Sequence, residues 1–209
     1  METLEVLKNR VSANKFDTTR KLSDDEIREL VAWATEAPSS ANLQPWRFIA
    51  VTGQEEKERL KGVAYGQQKV ADAAVTFIVL GDLRAAERLA DVLGRSVAAG
   101  ILPQTMADGL VRSMQSAHAD PQKARDEAIR STALAAMALM TAAADKGLVS
   151  GPMGGFDPEG AKREFAIPDR YLPVMLIAVG HPAPGNWPRK PRLTVDEVLT
   201  FHDGKDLQP

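Results

Sequence analysis

Apolar residues recur at helical spacing early in the chain. Positions i, i+3, i+4 and i+7 of one stretch are apolar: Ile27, Leu30, Val31 and Ala34. This pattern is typical of an amphipathic helix that buries one face. Ser23 and Glu26 stand at the spacing of a capping box, and a proline restricts the residue before it to extended conformations. We therefore predict a helix that begins after Ser23 and ends only at Pro38.

Similar spacing predicts further helices. They are a first helix around Leu4, Leu7 and Val11, then residues 54–61, 85–93, 104–117 and 121–146, and a short element at 194–199. Residues 132–144 are apolar on every side of the predicted helix. That part is expected to be buried on several sides, in the core or at a subunit interface.

Three nearly continuous apolar runs have the length of strands: residues 47–52, 74–80 and 174–180. Because they do not alternate between apolar and polar positions, we expect strands that helices cover on both faces. Residues 180–192 contain four prolines and two glycines, which predicts an irregular arm. There is no internal repeat and no linker between two cores, so we expect one α+β domain over residues 1–209.

Composition narrows the classes of function. The chain has 209 residues, no cysteine and a formal net charge of −2. Disulfides, thiolate metal sites and cysteine nucleophiles are therefore excluded, and the charge gives no reason to expect nucleic acid or a membrane as a partner. The first residues lack the apolar core of a signal peptide, and no apolar run is long enough to span a bilayer. We expect a cytoplasmic protein.

Common motifs of side-chain catalysis are absent from the sequence. The histidines are far apart and form no HxxxH or HExxH pattern, so no metal site is predicted: His118, His181 and His202. Ser39 and Ser40 lie outside any GxSxG motif, which argues against a serine nucleophile. There is no Walker A motif, and the glycines of residues 151–155 do not form GxGxxG. Either a cofactor supplies the chemistry or the protein does not catalyse a reaction.

Four stretches together provide the groups that flavin mononucleotide (FMN) needs. They are RVS at residues 10–12, PSSAN at 38–42, GPMGG at 151–155 and RKPR at 189–192. Cations and hydroxyls suit the phosphate, and glycines leave room for a planar ring. Each stretch alone also fits a structural explanation, as a solvated helix end, a turn, a helix cap with its loop, or a solubilising tail.

The same stretches carry a resemblance to a known family. RVS at 10–12, APSSANLQPWRF at 37–48, PMGGFD at 152–157 and KPRL at 190–193 resemble the nitroreductase family of FMN-dependent oxidoreductases, and the resemblance extends over nearly the whole chain. It implies an α+β nitroreductase-like fold, with a central, mostly antiparallel sheet surrounded by helices. It also implies an intertwined homodimer with FMN at the subunit interface and a C-terminal arm that reaches over the partner.

The resemblance implies roles for individual residues. Near the phosphate and the flavin edge would be Arg10, Val11, Ser12, Asn14, Lys190 and Arg192. The partner subunit would supply Pro38, Ser39, Ser40 and Asn42, while Gln67 and Lys69 would reach the ring edge or the ribityl chain. The ring would be lined by Pro152, Met153, Gly154 and Gly155, with the Gly155 N–H near flavin N5.

Two positions depart from the family pattern. Many members have lysine or arginine where this chain has Asn14, close to flavin N1 and O2. Loss of that cation is expected to lower the flavin potential unless Lys15 or another donor replaces it. Some members carry glutamate where this chain has Gly154, so the substrate side is expected to be more open and less charged.

The reaction that the resemblance implies has two steps. NAD(P)H, as co-substrate, would reduce FMN, and a small acceptor such as a nitroaromatic, a quinone, an enal-type compound or free flavin would then be reduced. A nicotinamide that stacks on a flavin needs no Rossmann motif. Two alternatives stay open: the same flavin with a dehalogenase-like or flavin-processing reaction, and a flavin-free binding protein that kept the fold.

Overall fold

A computed structural model describes residues 3–204, and its centre is a four-stranded antiparallel sheet. The strands are β1 (Trp46–Val51), β2 (Val75–Asp82), β3 (Val149–Met153) and β4 (Tyr171–Gly180), in the order β1-β2-β4-β3. The three predicted strands are confirmed. β3 was not predicted, because we interpreted residues 151–155 as a loop. Gly151 and Pro152 both have low strand propensity, and Pro152 is tolerated because β3 is an edge strand.

Helices surround the sheet. They are α1 (Thr3–Asn9), α2 (Asp24–Ala34), α3 (Gln54–Val63), α4 (Lys69–Asp72), α5 (Leu89–Ala98), α6 (Gln104–Ala117), α7 (Pro121–Asp145), α8 (Pro158–Glu164) and α9 (Val195–Val198). The capping box of Ser23 and Glu26 is present at the start of α2. The predicted end of α2 is wrong, since the helix ends at Ala34 and turns occupy the residues before Pro38.

One further helix prediction needs correction, and two short helices were not predicted. Residues 85–88 form a 3-10 turn, so only the last part of the predicted helix 85–93 belongs to α5. The helices α4 and α8 were not predicted, since four and seven residues are too few for a periodic pattern. Residues 180–192 lack helix, and no strand extends beyond Gly180, in agreement with the predicted arm.

The core lies on both faces of the sheet. All eight residues of β2 are buried. Ile78 packs in one apolar cluster with Leu60 of α3, while Phe77 packs in another with Leu139 of α7. Each fully buried side chain of this size contributes about 1.5–3 kcal/mol. The two helical layers explain why the apolar runs do not alternate.

The long helix α7 is buried only in part. Ala135, Leu139 and Ala143 have no exposed surface, whereas Leu134 and Met137 are 45% and 37% exposed. One chain therefore covers most of the apolar stretch that was expected to be buried on several sides. Within residues 3–204, no helix combines the length and the hydropathy needed to cross a membrane.

The strand order separates two segments of the chain that the resemblance assigns to the same FMN site, one from each subunit. The segment 38–44 leads into β1, and residues 154–155 follow β3. These strands are opposite edges of the sheet, three strand spacings apart. That separation is about 14 Å, so the two segments do not meet within one subunit.

Candidate cofactor site

A cationic cavity of about 300 Å³ lies where the segment after α1 meets the arm. Its lining combines predicted and unpredicted residues: Arg10, Val11, Ser12, Asn14, Lys69, Trp187, Pro188, Arg189, Lys190 and Arg192. Seven of the predicted cofactor residues, Asn14 among them, therefore share one cavity. We call it the Arg10 cavity.

The segment that carries Ser12 is held against β3. The Ala13 N–H donates to the Ser150 carbonyl over 2.9 Å, and Ser12 and Ser150 form a parallel bridge. A Cβ atom at Gly151 would lie 2.5 Å from the Ala13 carbonyl oxygen. Glycine at 151 thus permits the close approach of the two backbones.

The arm is held by side chains that bond to backbone groups. Oδ1 of Asn186 accepts from the N–H groups of Asn14 and Lys15 over 2.7 and 2.9 Å, and its Nδ2 donates to the Lys15 carbonyl over 2.8 Å. Arg189 donates to the carbonyls of Leu7 and Arg10 over 2.8 and 3.1 Å. This part of the arm therefore lies on its own subunit.

Several like charges converge on the cavity. Burial lowers the pKa of Arg10, and the charges of Arg189 and Arg192 lower it further. Burial also lowers the pKa of Lys69. Nη1 of Arg10 and Oγ of Ser150 are buried and have no hydrogen-bond partner within residues 3–204. Because an unpaired buried donor is costly, this arrangement fits an anionic group such as a phosphate.

Lys69 places a cation beside Asn14, the position at which many family members carry lysine or arginine. Its Nζ donates to Oδ1 of Asn14 over 3.3 Å, and both residues line the Arg10 cavity. The backbone of Lys15, by contrast, is bonded to Asn186. Lys69 is thus the cation beside Asn14.

The glycine pair is linked to Gln67. Nε2 of Gln67 donates to the Gly155 carbonyl over 2.7 Å, and Gly154 and Gly155 are both exposed. Within residues 3–204, the Gly155 N–H has no hydrogen-bond acceptor. Pro152 and Met153 belong to β3, and Met153 is buried in the core. An exposed, unpaired N–H follows directly after the strand, at the position where the resemblance implies contact with the flavin.

The segment 38–44 is a compact turn away from the Arg10 cavity. Ser39 accepts from the Gln44 N–H over 3.0 Å, and Gln44 Nε2 donates to Asn42 Oδ1 over 3.1 Å. Ala41, Asn42 and Gln44 have positive φ angles of 47°, 59° and 46°. Trp46, 4% exposed, anchors the turn in the core, as expected. Pro38, Ser40 and Asn42 are exposed and face no other predicted site residue of this chain.

A sequence model of the Nitroreductase family matches residues 7–181. The chain belongs to the nitroreductase family. It is 39% identical over 178 residues to the Bacillus subtilis protein named "Putative NAD(P)H nitroreductase YodC", covering 85% of this chain and 88% of the relative. The fold is accordingly the nitroreductase-like α+β fold, as the resemblance implied.

Two solved structures are close in fold to this nitroreductase-family chain. The B. subtilis structure named "putative nitroreductase ydfN" has a TM-score of 0.90 and 34% identity, covering 96% of this chain and 98% of the other. An Exiguobacterium sibiricum structure, named "putative nitroreductase in complex with FMN", has a TM-score of 0.88 and 30% identity, covering 96% and 97%. The second structure contains FMN.

The sequence analysis did not identify three residues that line the Arg10 cavity or support the segments around it. Trp187 lines it and lies under Lys190, whose Nζ is 4.8 Å from the ring centroid. Asn186 fixes the arm, and Ser150 contributes an unpaired hydroxyl. Asn186 and Trp187 stand within the arm beside RKPR, so their proximity to that motif was an available signal.

Proposed function

We propose that this nitroreductase is an FMN-dependent NAD(P)H oxidoreductase that reduces a nitroaromatic, a quinone or a related small acceptor in the cytoplasm. The observation that carries the proposal is the buried, unpaired Nη1 of Arg10 in a cavity with Lys69, Lys190 and Arg192. The FMN complex of the E. sibiricum relative and the NAD(P)H nitroreductase name of YodC support it.

The residues of the Arg10 cavity hold the phosphate and the flavin edge in this proposal. Arg10, Ser12 and Arg192 supply charge-assisted or hydroxyl donors. Lys69, oriented by Asn14, replaces the missing cation at the ring edge, so we expect a smaller decrease in potential than Asn14 alone would cause. The Gly155 N–H is a free donor for the ring, and Gln67 holds its peptide in place.

When bound, FMN accepts a hydride from NAD(P)H and passes it to the acceptor. The chain contributes position and solvent exclusion to this chemistry. Gly154 and Gly155 leave an exposed, uncharged surface beside the predicted ring position. A flat apolar or aromatic acceptor suits such a surface better than a charged one.

We further propose a homodimer of this single domain, in which Pro38, Ser39, Ser40 and Asn42 complete the FMN site of the partner. The roughly 14 Å between the edge strands supports this, since the two groups of residues do not meet in one chain. Exposed apolar side chains support it too. They lie on the α2–α7 surface and on the tail: Trp33, Leu134, Met137, Leu193, Val195, Val198, Leu199 and Phe201.

Anaerobic reduction of the purified protein tests the proposal. We expect a yellow protein whose flavin absorbance disappears on addition of NADH or NADPH and returns with a nitroaromatic or a quinone. Titration with both nucleotides identifies the donor, and light scattering measures the dimer. A colourless protein that added FMN does not stabilise against heat would overturn the proposal and favour a flavin-free binding protein.

The other alternative changes the reaction and keeps the flavin. A dehalogenase-like or flavin-processing enzyme would also purify yellow. It would differ in the acceptor assay, by releasing halide or by consuming the flavin itself. Complete recovery of flavin absorbance over many turnovers supports the reductase.

A further inference from the structure

Lys57 is a buried lysine outside the Arg10 cavity. It lies on α3, is 2% exposed, and donates from Nζ to the Ala73 carbonyl over 2.8 Å. An ammonium group has three N–H donors. Within residues 3–204, this carbonyl is its one hydrogen-bond acceptor, and no carboxylate lies within ion-pair distance. The ammonium is therefore buried with two donors unused.

The side chain borders a second cavity, of about 130 Å³. Arg20 and Lys21 line it from the loop before α2, and Asp72 lines it from the end of α4. Oδ1 of Asp72 already accepts a hydrogen bond from Gln68 Nε2 over 2.8 Å. Three cations thus face one carboxylate, and the charge of the cavity is positive.

Burial lowers the pKa of Lys57 and the charge of Lys21 lowers it further, while the charges of Asp72 and Glu58 oppose this shift without cancelling it. Neither Arg20 nor Lys21 forms an ion pair within the described part of the chain. Burying a cation without a counter-charge is unfavourable, whereas a hydrogen-bonded anion offsets much of the cost. With three cations beside one carboxylate, the cavity keeps an excess of positive charge that a bound anion would balance.

We propose that this cavity, the Lys57 cavity, binds a small tetrahedral oxyanion such as inorganic phosphate or sulfate. At roughly 30 Å³ of liquid volume per water, its space admits about four water-sized groups, and a tetrahedral oxyanion has four oxygens. The unused donors of Lys57 would bond to one side of the anion. The exposed cations Arg20 and Lys21 would cover the other side.

The position of the cavity gives the anion a structural effect. The helix α4 has Lys69 at its first residue, on the Arg10 cavity, and Asp72 at its last, on the Lys57 cavity. An anion that is bound to Lys57 would stabilise the α3–α4 contact and hold this short helix. The proposal does not depend on flavin binding.

Thermal unfolding tests the proposal, with potassium gluconate keeping the ionic strength constant. Phosphate can also enter the Arg10 cavity, so Arg10→Ala is measured beside the unchanged protein. Phosphate or sulfate at tenfold the dissociation constant should raise the melting temperature by about 3–6 °C in both proteins. Lys57→Met, which keeps the length of the side chain without its charge, should abolish the rise when it is combined with Arg10→Ala.

Lys21→Ala provides a second variant, because Lys21 is exposed and its loss leaves the core unchanged. It should weaken the response even if Lys57→Met fails to fold. Selenate soaked into crystals of the holoprotein should give an anomalous peak between Lys57 and Lys21. The oxyanion site would be overturned if Lys57→Met and Lys21→Ala responded as strongly as their parent protein, if only Arg10→Ala lost the response, or if chloride gave the same rise as phosphate.

Discussion

The Arg10 cavity and the segment 38–44 differ in how much of their environment one chain supplies. Residues around Ser12, Ser150 and Asn186 are tied together by hydrogen bonds within the subunit. The segment 38–44 bonds mainly to itself and lies at the opposite edge of the sheet. One chain thus forms the whole Arg10 cavity, whereas the segment 38–44 lines an FMN site only in the proposed dimer.

The two regions also differ in what is left unsatisfied. The Arg10 cavity has buried polar atoms without partners and concentrates positive charge. The segment 38–44 satisfies its polar groups but has three non-glycine residues at positive φ, a conformation that costs about 1–3 kcal/mol at each position. The Arg10 cavity is therefore suited to an anionic ligand, whereas the segment 38–44 is a turn with backbone strain at three positions.

Removing the central cation should have the largest effect. Arg10→Ala deletes a charge-assisted contact worth about 1.5–3 kcal/mol, so FMN affinity should fall about 10- to 100-fold. Equilibrium titration of apoprotein with FMN measures this. Arg163→Ala is the control, because Arg163 is a surface arginine on α8. Equal affinities in both variants would remove the phosphate assignment from Arg10.

A methyl group added at Gly151, where β3 contacts the segment 12–13, should have the next largest effect. Gly151→Ala forces Cβ against the Ala13 carbonyl, so the free energy of unfolding should fall by about 1–3 kcal/mol. The matched change Gly154→Ala meets no atom within 4 Å and should alter stability by less than about 0.5 kcal/mol. Urea unfolding of both apoproteins compares them. Equal stabilities would mean that the 12–13 segment does not depend on this contact.

Loss of the Gln67 amide should have a smaller effect. Gln67→Ala removes the bond to the Gly155 carbonyl, which is worth about 1 kcal/mol, so FMN should bind roughly fivefold more weakly. Gln122→Ala, which loses a surface bond to Asp126, serves as the control in the same titration. If the two variants bind FMN equally, Gln67 does not hold the glycine pair for the flavin.

Hybrid dimers should give the smallest signal. They test directly whether the Arg10 cavity of one chain and the segment 38–44 of the other form one FMN site. Arg10→Ala and Asn42→Ala chains, mixed and reassociated, should form hybrids in which one site carries both changes and the other carries neither. About half of the hybrid sites should then bind FMN with unchanged affinity. Recovery of no such site would place Asn42 outside the partner's cofactor site.

The sequence predicted those elements that carry a local signal: a helical spacing of apolar residues, a capping motif or a continuous apolar run. The capping box of Ser23, the helix α6 and the buried strand β2 are examples. It missed β3, since β3 is held by pairing with β4 against the low propensities of Gly151 and Pro152. It also missed Asn186, because the position beside RKPR does not reveal bonds to backbone groups 171 and 172 residues away.

Part of the grouping that the resemblance implied is visible in the fold, whereas the division of the site between two subunits stays a prediction. Arg10, Ser12, Lys190 and Arg192 line one cavity. Lys69, given the less certain role, proves to be the cation beside Asn14. Spacing alone cannot reveal such a compensation, since the two residues belong to separate segments that only the folded sheet brings together.

The bond between Arg189 and the Leu7 carbonyl joins residues 182 positions apart. Translation at about 5–20 residues per second separates their emergence by roughly 10–40 seconds. During that interval Arg10 and Ser12 exist without the residues that close their cavity. The cationic cavity of a growing chain is therefore complete only after the arm has been synthesised. FMN binding is accordingly expected at the end of biosynthesis.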